Sequence, residues 1–218
     1  MKKGWLVFLV LLAAAALTLA GNLLGKFSRE EKIFQEQTAL NGIVYDEAFL
    51  EEAAKLPGIQ SVKPVVSLPV QLKVGEYSVE TELLGVELTD LHYQAEKASD
   101  TALGRTPALL IGKEALFGLV DANGHAISEK RLGQLLEEYQ ELSITASFST
   151  RPEQTFSCRA AAVLKEPADK IYFSIDQAKA LAEQYSQPFS IKEVLLTVKG
   201  ETNFRKAKES FVPTKEGS

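Results

Sequence analysis

The chain is poor in the residues that crosslink proteins or bind transition metals. Its 218 residues include one cysteine, Cys158, and two histidines, His92 and His125. A single cysteine excludes an internal disulfide and a cysteine-based zinc site. The two histidines stand apart in polar stretches, whereas a zinc site needs three or four ligands. We therefore expect no metal and no cofactor, and a buried, unreactive Cys158 within the alternating run TFSCRAAAVL.

Motifs of catalysis and nucleotide binding are also missing. No G-x-S-x-G occurs, and GRTPALLIGKEA has the wrong glycine spacing for a P-loop, with Glu114 where Ser or Thr would hold Mg²⁺. DANGHAISEKRL resembles a calcium loop superficially, but Leu132 stands where that loop needs a bidentate glutamate. We assign no catalytic residue and expect that the chain is not an enzyme. An envelope enzyme of unspecified reaction is the minor alternative.

Clustered positive charge is absent as well. The 24 lysines and arginines stand against 29 acidic residues, for a net charge of −5, and basic residues alternate with glutamates in REEK and KAKE. Nucleic-acid binding calls for a clustered basic surface, so we expect no nucleic-acid partner. The 45% hydrophobic content is ordinary for a folded protein.

One long hydrophobic run is present, at the N-terminus. After two lysines the chain carries no charge from Gly4 to Gly25, which matches the roughly 20 residues that a bilayer-spanning helix needs. Trp5 lies where an interfacial aromatic anchor is expected. A cleaved signal peptide would have a shorter apolar region and a small-x-small site, which LTLAG matches imperfectly. We predict an uncleaved anchor over residues 1–25, with a cleaved leader as the alternative.

The orientation of this anchor follows from what comes after it. Lys2 and Lys3 precede the run, while Lys26, Arg29 and Lys32 follow it, so the positive-inside rule discriminates weakly. A long C-terminal domain behind a short N-terminal segment usually translocates, and no second apolar run of this length exists. We predict a single-pass protein of the cell membrane with its C-terminal domain outside the cytoplasm.

The beginning of the soluble part is read as a connector, a strand and a helix. Residues 26–41 are charged and helix-compatible, which indicates a stalk. NGIVYD is short and β-branched and predicts a strand. DEAFLEEAAKLPG predicts an amphipathic helix with Asp46 as N-cap and an end at Pro57 and Gly58.

A long hairpin follows this helix. SLPVQLKV and YSVETELL alternate apolar and polar residues on either side of Gly75 and Glu76, which predicts a type II′ turn. Pro64 and Pro69 lack the N–H that a central strand needs, so we predict an edge or bent strand. We further predict that partners bind this edge through side chains rather than by strand addition.

The remaining chain mixes strands and helices. We predict a loop over ELTDLHYQAEKASDTALGRT, a strand and helix over ALLIGKEALFGLV, and a tight turn at Asn123 and Gly124. A helix, a second hairpin, a strand, a helix that begins with a capping box at Ser174 and Gln177, a strand and a last helix follow. The order strand, helix, strand occurs twice, over residues 42–74 and 170–199. This indicates an α+β fold, with two lobes.

Four stretches resemble the extracytoplasmic region of the FtsX/MacB-type ABC-transporter permeases, in which an N-terminal membrane helix leads into a MacB-like periplasmic core domain. They are LPGIQSVKPVVSLPVQLKVG, VETELLGVELTD, PALLIGKEALFGL and AAAVLKEPADKIYFSIDQAKALAEQ. The resemblance implies an N-terminal transmembrane helix followed by a two-lobed α+β domain with porter-like βαβ units and β-hairpins. We place this core domain at residues 42–211 and a polar tail at 212–218. The family offers no catalytic residues to transfer.

The chain also departs from this family. Its permeases continue into three more membrane helices that contact the ATPase, whereas Phe211 is followed here by VPTKEGS. We expect a stand-alone relative or accessory subunit, or a permease half that lies on another polypeptide or has been removed.

The function that these expectations suggest is non-catalytic. The resemblance implies a membrane-anchored extracytoplasmic component of an ABC-type transport or mechanotransmission system, with ABC permease and ATPase subunits or other envelope proteins as partners. The alternative is a membrane-tethered scaffold of the cell envelope that is unrelated to transport.

Overall fold

The structure is a computed structural model that describes residues 32–98, 106–188 and 190–211. The predicted anchor at 1–25 and the predicted tail at 212–218 lie outside these ranges. No helix of the described residues is long and apolar enough to cross a membrane.

Strands and helices are mixed along the described chain, with short 3₁₀ helices at Lys113–Leu116 and Tyr139–Glu141. The elements are β1 (Ile33–Ala39), α1 (Glu47–Ala54), β2 (Ile59–Val74), β3 (Tyr77–Val86), β4 (Gln94–Ala98), β5 (Ala108–Gly112), α2 (Glu129–Glu137), β6 (Ile144–Phe148), β7 (Arg151–Glu166), β8 (Ile171–Ser174), α3 (Ile175–Gln184), β9 (Ile191–Lys199) and α4 (Glu201–Phe211). The predicted α+β class is confirmed.

The strands belong to one hydrogen-bonded network. Its order is β1-β9-β2-β3-β8-β5-β7-β4, with β6 pairing both β2 and β7. The β3–β8 and β5–β7 pairs are parallel, and the other pairs are antiparallel. Within the described residues, β1 and β4 are therefore the two ends of the sheet.

The repeated strand–helix–strand pattern is present, although its first strand lies elsewhere than predicted. β1 and β2 both run antiparallel to β9, so they are parallel to each other, and α1 connects them. β8 and β9 are likewise parallel, with β2 and β3 between them and α3 as their connection. NGIVYD forms no strand; it turns at Gly42, which has a φ of +83°.

The helical stalk predicted over residues 26–41 is wrong where the structure describes it, because Ile33–Ala39 is a strand paired with β9 along its whole length. Contacts distant in sequence explain the difference. Phe34 stacks on Phe204 of α4 with ring centroids 5.2 Å apart, and Lys208 donates to Glu36. Such tertiary contacts outweigh the weak helical preference of a short polar segment.

The hairpin of β2 and β3 has the predicted turn. Val74 pairs with Tyr77 across a two-residue loop, and Gly75 has a φ of +60° whereas Glu76 is not among the residues with positive φ. This is the pattern of a type II′ turn, which places glycine at the first loop position.

The prediction that β2 is an edge strand is wrong, because β2 pairs with β9 from Ile59 to Val66 and with β3 from Val66 to Val74. Each proline instead lies where β2 lacks a paired strand on one of its two sides. Pro64 precedes the start of the β3 pairing at Val66. Pro69 lies between the end of the β9 pairing and the start of the β6 pairing at Val70. The prediction that partners bind through side chains at this edge assumed that β2 is an edge strand, so it does not apply to β2 as the structure has it.

A strand was also missed. β4 lies within the stretch predicted as a loop and pairs irregularly with β7. Its sequence, QAEKA, is mostly exposed and has no apolar alternation, so no local signal marks it as a strand.

The two faces of the sheet are both covered. Helices α1, α3 and α4 pack on one face through two apolar clusters that include Phe173, Ala178 and Val194. The opposite face carries a third cluster around Leu84, Tyr172 and Leu195. Since residues paired across strands share a face, Gln35 and Gln37, which pair with Thr197 and Leu195, lie on this second face.

Candidate functional site

A cleft of about 830 Å³ lies on the second face of the sheet, beside β1. We call it the acidic cleft. Its walls are β1, residues 91–94, the turn between β7 and β8, Tyr172, and Glu193 and Leu195 of β9. These segments are distant in sequence, and the sheet brings them together. A volume of this size is in the range of ligand-binding pockets.

The charge of this cleft is predominantly negative. Among the described residues that line it, Glu36, Glu166, Asp169 and Glu193 are acidic and one, Lys170, is basic. Glu36 is neutralised by Lys208, but the other three carboxylates form no ion pair with any described residue. The cleft therefore presents uncompensated negative charge toward any ligand that enters it.

Gln35 fixes one wall of the acidic cleft. Its Nε2 donates to the carbonyl oxygen of Asp90 at 2.7 Å and to Oγ1 of Thr197 at 3.0 Å. Its Oε1 accepts from the backbone N–H of His92 at 2.7 Å, and Lys63 pairs with Asp90 at 3.1 Å. The loop before β4 is thus held against β1 and β9 through both its backbone and its side chains.

The floor of the cleft combines burial with negative charge. Gln37 donates through Nε2 to Glu193, while its Oε1 is buried and has no hydrogen-bond partner within the described structure. Burial raises the pKa of Tyr172 to about 12, and the carboxylates of Asp169 and Glu193 add to this rise. A buried polar atom without a partner costs free energy.

The free edge of β1 opens onto the same cleft. Gly200 N donates to Lys32 O and Leu40 N donates to Lys192 O. Along an antiparallel pair every second residue exchanges hydrogen bonds with its partner, so the even-numbered residues of β1 bond to β9. The N–H and C=O groups of Ile33, Gln35 and Gln37 therefore point away from β9. No described backbone group bonds to them.

A second, more apolar groove lies on the other side of the molecule. It has a volume of about 450 Å³ and lies between α1, α4 and the segment before α1. Val44, which is 71% exposed, and Phe49 contribute to it. Its described lining has two carboxylates, Asp46 and Glu52, and no basic side chain.

The structure places the cysteine, the calcium-like loop and one of the histidines that the sequence singled out. Burial raises the pKa of the Cys158 thiol to about 12, so the thiol is protonated at neutral pH. Oδ1 of Asp121 accepts from the N–H groups of Asn123 and His125 at 2.8 and 2.9 Å. The hydrogen bond from the His125 N–H is the largest cause of the lowered pKa of Asp121. This carboxylate closes the turn rather than a calcium loop. His92 lines the acidic cleft.

Metal binding finds no support in the described residues, among which no group of three or more histidine, cysteine, aspartate or glutamate side chains is placed to hold an ion. The acidic cleft itself was missed from the sequence. Its carboxylates come from segments that are separate along the chain, and none carries a local motif.

The solved structures that are similar to this chain include the following two. One is the extracellular domain of the noncanonic ABC-type transporter YknZ from Gram-positive bacteria, with 10% identity, a TM-score of 0.42, and coverage of 81% of this chain and 88% of that chain. The other is the periplasmic region of MacB from Actinobacillus actinomycetemcomitans, with 15% identity, a TM-score of 0.44, and coverage of 84% and 81%. No protein-family model and no curated protein matches the chain.

Proposed function

We propose that the chain is a non-catalytic, membrane-anchored component of an ABC-type transport or mechanotransmission system, whose folded domain engages substrate or partner proteins outside the cytoplasm. ATP hydrolysis then takes place in other subunits. The single membrane anchor of this proposal is the apolar run at residues 1–25.

One observation carries the proposal. The four stretches that resemble the MacB-like core lie on β2, β3, β5 and the segment from β7 through α3. The strands in these stretches, β2, β3, β8, β5 and β7, are consecutive neighbours in the sheet. The resemblance therefore maps onto one contiguous block of the fold, as expected if the motifs preserve a common core.

The non-enzymatic role is supported by the chemistry of the site. The acidic cleft contains carboxylates, amides and a tyrosine that is protonated at neutral pH, and its described residues include no nucleophile hydrogen-bonded to a base, which acyl-transfer chemistry requires. In the described structure this cleft suits binding better than bond cleavage. The two-lobed arrangement with porter-like units belongs to the same proposal.

The test is co-purification of the full chain from crosslinked membranes of its native host, solubilised in mild detergent. We expect an ABC permease or ATPase subunit among the captured proteins. Gly112→Ala is the negative control, because its Cβ would lie 2.3 Å from the carbonyl oxygen of Ala168 and disrupt the core. Gly133→Ala is its matched partner, since nothing lies within 4 Å of that Cβ.

The two variants give the experiment a clear reading. Association that survives Gly133→Ala and disappears with Gly112→Ala depends on the folded domain and supports the proposal. Capture of envelope proteins without any ABC permease or ATPase contradicts it and favours the membrane-tethered scaffold.

A further inference from the structure

The acidic cleft and the free edge of β1 together define the shape of a ligand. The outward N–H and C=O groups of Ile33, Gln35 and Gln37 match the hydrogen-bonding groups of one extended strand. A strand added there would send alternate side chains to the two faces of the sheet.

The two faces beside β1 differ in chemistry. On the cleft face, alternate side chains of an added strand would meet the uncompensated carboxylates Glu166, Asp169 and Glu193. On the other face, they would lie near the stacked rings of Phe34 and Phe204. The complementary ligand carries basic side chains on one face and apolar side chains on the other.

We propose that the acidic cleft is a docking site for an extended peptide segment with alternating basic and apolar residues, which pairs with the open edge of β1. This inference rests on the proposed function in one respect, namely that the peptide is encountered outside the cytoplasm. Strand addition supplies the main-chain hydrogen bonds, and the carboxylates supply the preference for a cationic sequence.

Charge argues against a second copy of the chain as the occupant. Antiparallel pairing of two β1 strands around a two-fold axis would bring two acidic clefts side by side, and like charges that face each other are destabilising. An anionic peptide meets the same repulsion. A cationic partner is the one that the described charges favour.

The binding experiment uses the full chain in detergent and the capped peptide acetyl-Lys-Val-Lys-Val-Lys-Val-Lys-amide, measured by isothermal titration calorimetry at low salt. We expect binding that weakens as salt rises, because exposed charges are screened. The Glu-Val counterpart should not bind measurably. A peptide that is N-methylated at alternate residues should bind at least about tenfold more weakly, since it cannot donate to the strand edge.

Two sets of variants locate the site. Glu166→Gln combined with Asp169→Asn should weaken binding about fivefold, as expected for two exposed ion pairs. Glu47→Gln with Glu51→Gln is the matched control, because both glutamates lie on α1, which packs on the opposite face of the sheet. That pair should leave binding unchanged.

The edge is tested separately at Ile33, which is 52% exposed and begins β1. Ile33→Pro removes one outward N–H at a position where a strand tolerates proline and should weaken binding. Ile33→Ala keeps the N–H and serves as its control. Circular dichroism on both variants checks that the sheet is retained.

Each other result overturns the inference. Equal binding of the N-methylated peptide, or of a block peptide with the same composition, would show attraction by charge without strand addition. If the alternating peptide does not bind, the inference is wrong, and the charged side chains near β1 would then serve to protect the sheet edge from pairing with other strands. Because transporter association is measured independently, loss of peptide binding with association retained refutes this site alone.

Discussion

Close packing between helix and sheet occurs at Gly85 of β3, beneath α3, and it gives a sharp stability test. A Cβ added at Gly85 would lie 2.5 Å from Cβ of Ala178, while its next contacts, at 3.5 Å, are ordinary. Gly85→Ala must therefore push the helix away from the sheet. Overpacking of this kind costs about 1–3 kcal/mol, and we expect a loss of about 2 kcal/mol in the free energy of unfolding.

The same contact predicts a rescue. Ala178→Gly alone should cost about 2 kcal/mol, of which about 1 comes from helix propensity and about 0.8 from the buried methyl group. In the double variant the new methyl group at position 85 occupies the space left at position 178. The loss should then be about 1–2 kcal/mol instead of the sum of about 4, a coupling of about 2 kcal/mol or more between residues in contact.

The assay is urea unfolding of the full chain in detergent, followed by far-ultraviolet circular dichroism for the wild type, the two single variants and the double variant. Gly133→Ala in α2 is the control, because nothing surrounds its Cβ; it should be neutral or stabilising by up to about 1 kcal/mol. Additive losses in the cycle, or a cost of less than about 0.5 kcal/mol for Gly85→Ala, would refute the packing argument.

Three further predictions use single residues. Phe173→Ala should cost about 3–5 kcal/mol in the free energy of unfolding, because Phe173 is fully buried; a loss of under 1 kcal/mol in the same urea titration would contradict that burial. Cys158 should resist a thiol reagent at pH 8 in the folded chain and react after unfolding, since burial raises its pKa to about 12; rapid reaction of folded protein would show an open thiol. The pKa of Tyr172 is raised from 10.0 to about 12 in the folded chain. The contribution of its neutral phenol to the free energy of unfolding is therefore complete below pH 10 and is lost as the pH rises toward 12. Tyr172→Phe should therefore lose less stability than the wild type between pH 10 and 12, and identical slopes would contradict this.

Local signals explain the parts of the fold that the sequence predicts well. The β2–β3 hairpin follows from strict alternation around a glycine-containing loop, and α1 follows from its apolar face and from Asp46, whose side chain accepts from the N–H of Phe49. At the start of α3, Ser174 is the N-cap as predicted, and its side chain accepts from the N–H of Asp176. The Gln177 amide bonds to β5 through the N–H of Ala108.

Pairing between distant segments explains what the sequence does not predict. β1 becomes a strand because β9, more than 150 residues later, supplies its partner, as the hydrogen bond between Gln35 and Thr197 illustrates. Pro69 favoured an edge position for β2, but β2 is an inner strand. On one side of β2, pairing with β9 ends before Pro69 and pairing with β6 begins after it, so the proline needs no hydrogen-bond partner there. The acidic cleft depends on the same long-range pairings, so no single segment could have revealed it.

The position of β9 has a consequence for how the chain acquires its structure. Of the described strands, β9 is the last to be synthesised, yet it lies between β1 and β2, which are the first two. Contacts between distant segments form slowly because a long loop must close first. During synthesis β1 therefore has no partner strand until residues 191–199 have emerged. Its edge stays exposed for most of that time, which is when binding of a chaperone would protect it most from wrong pairing.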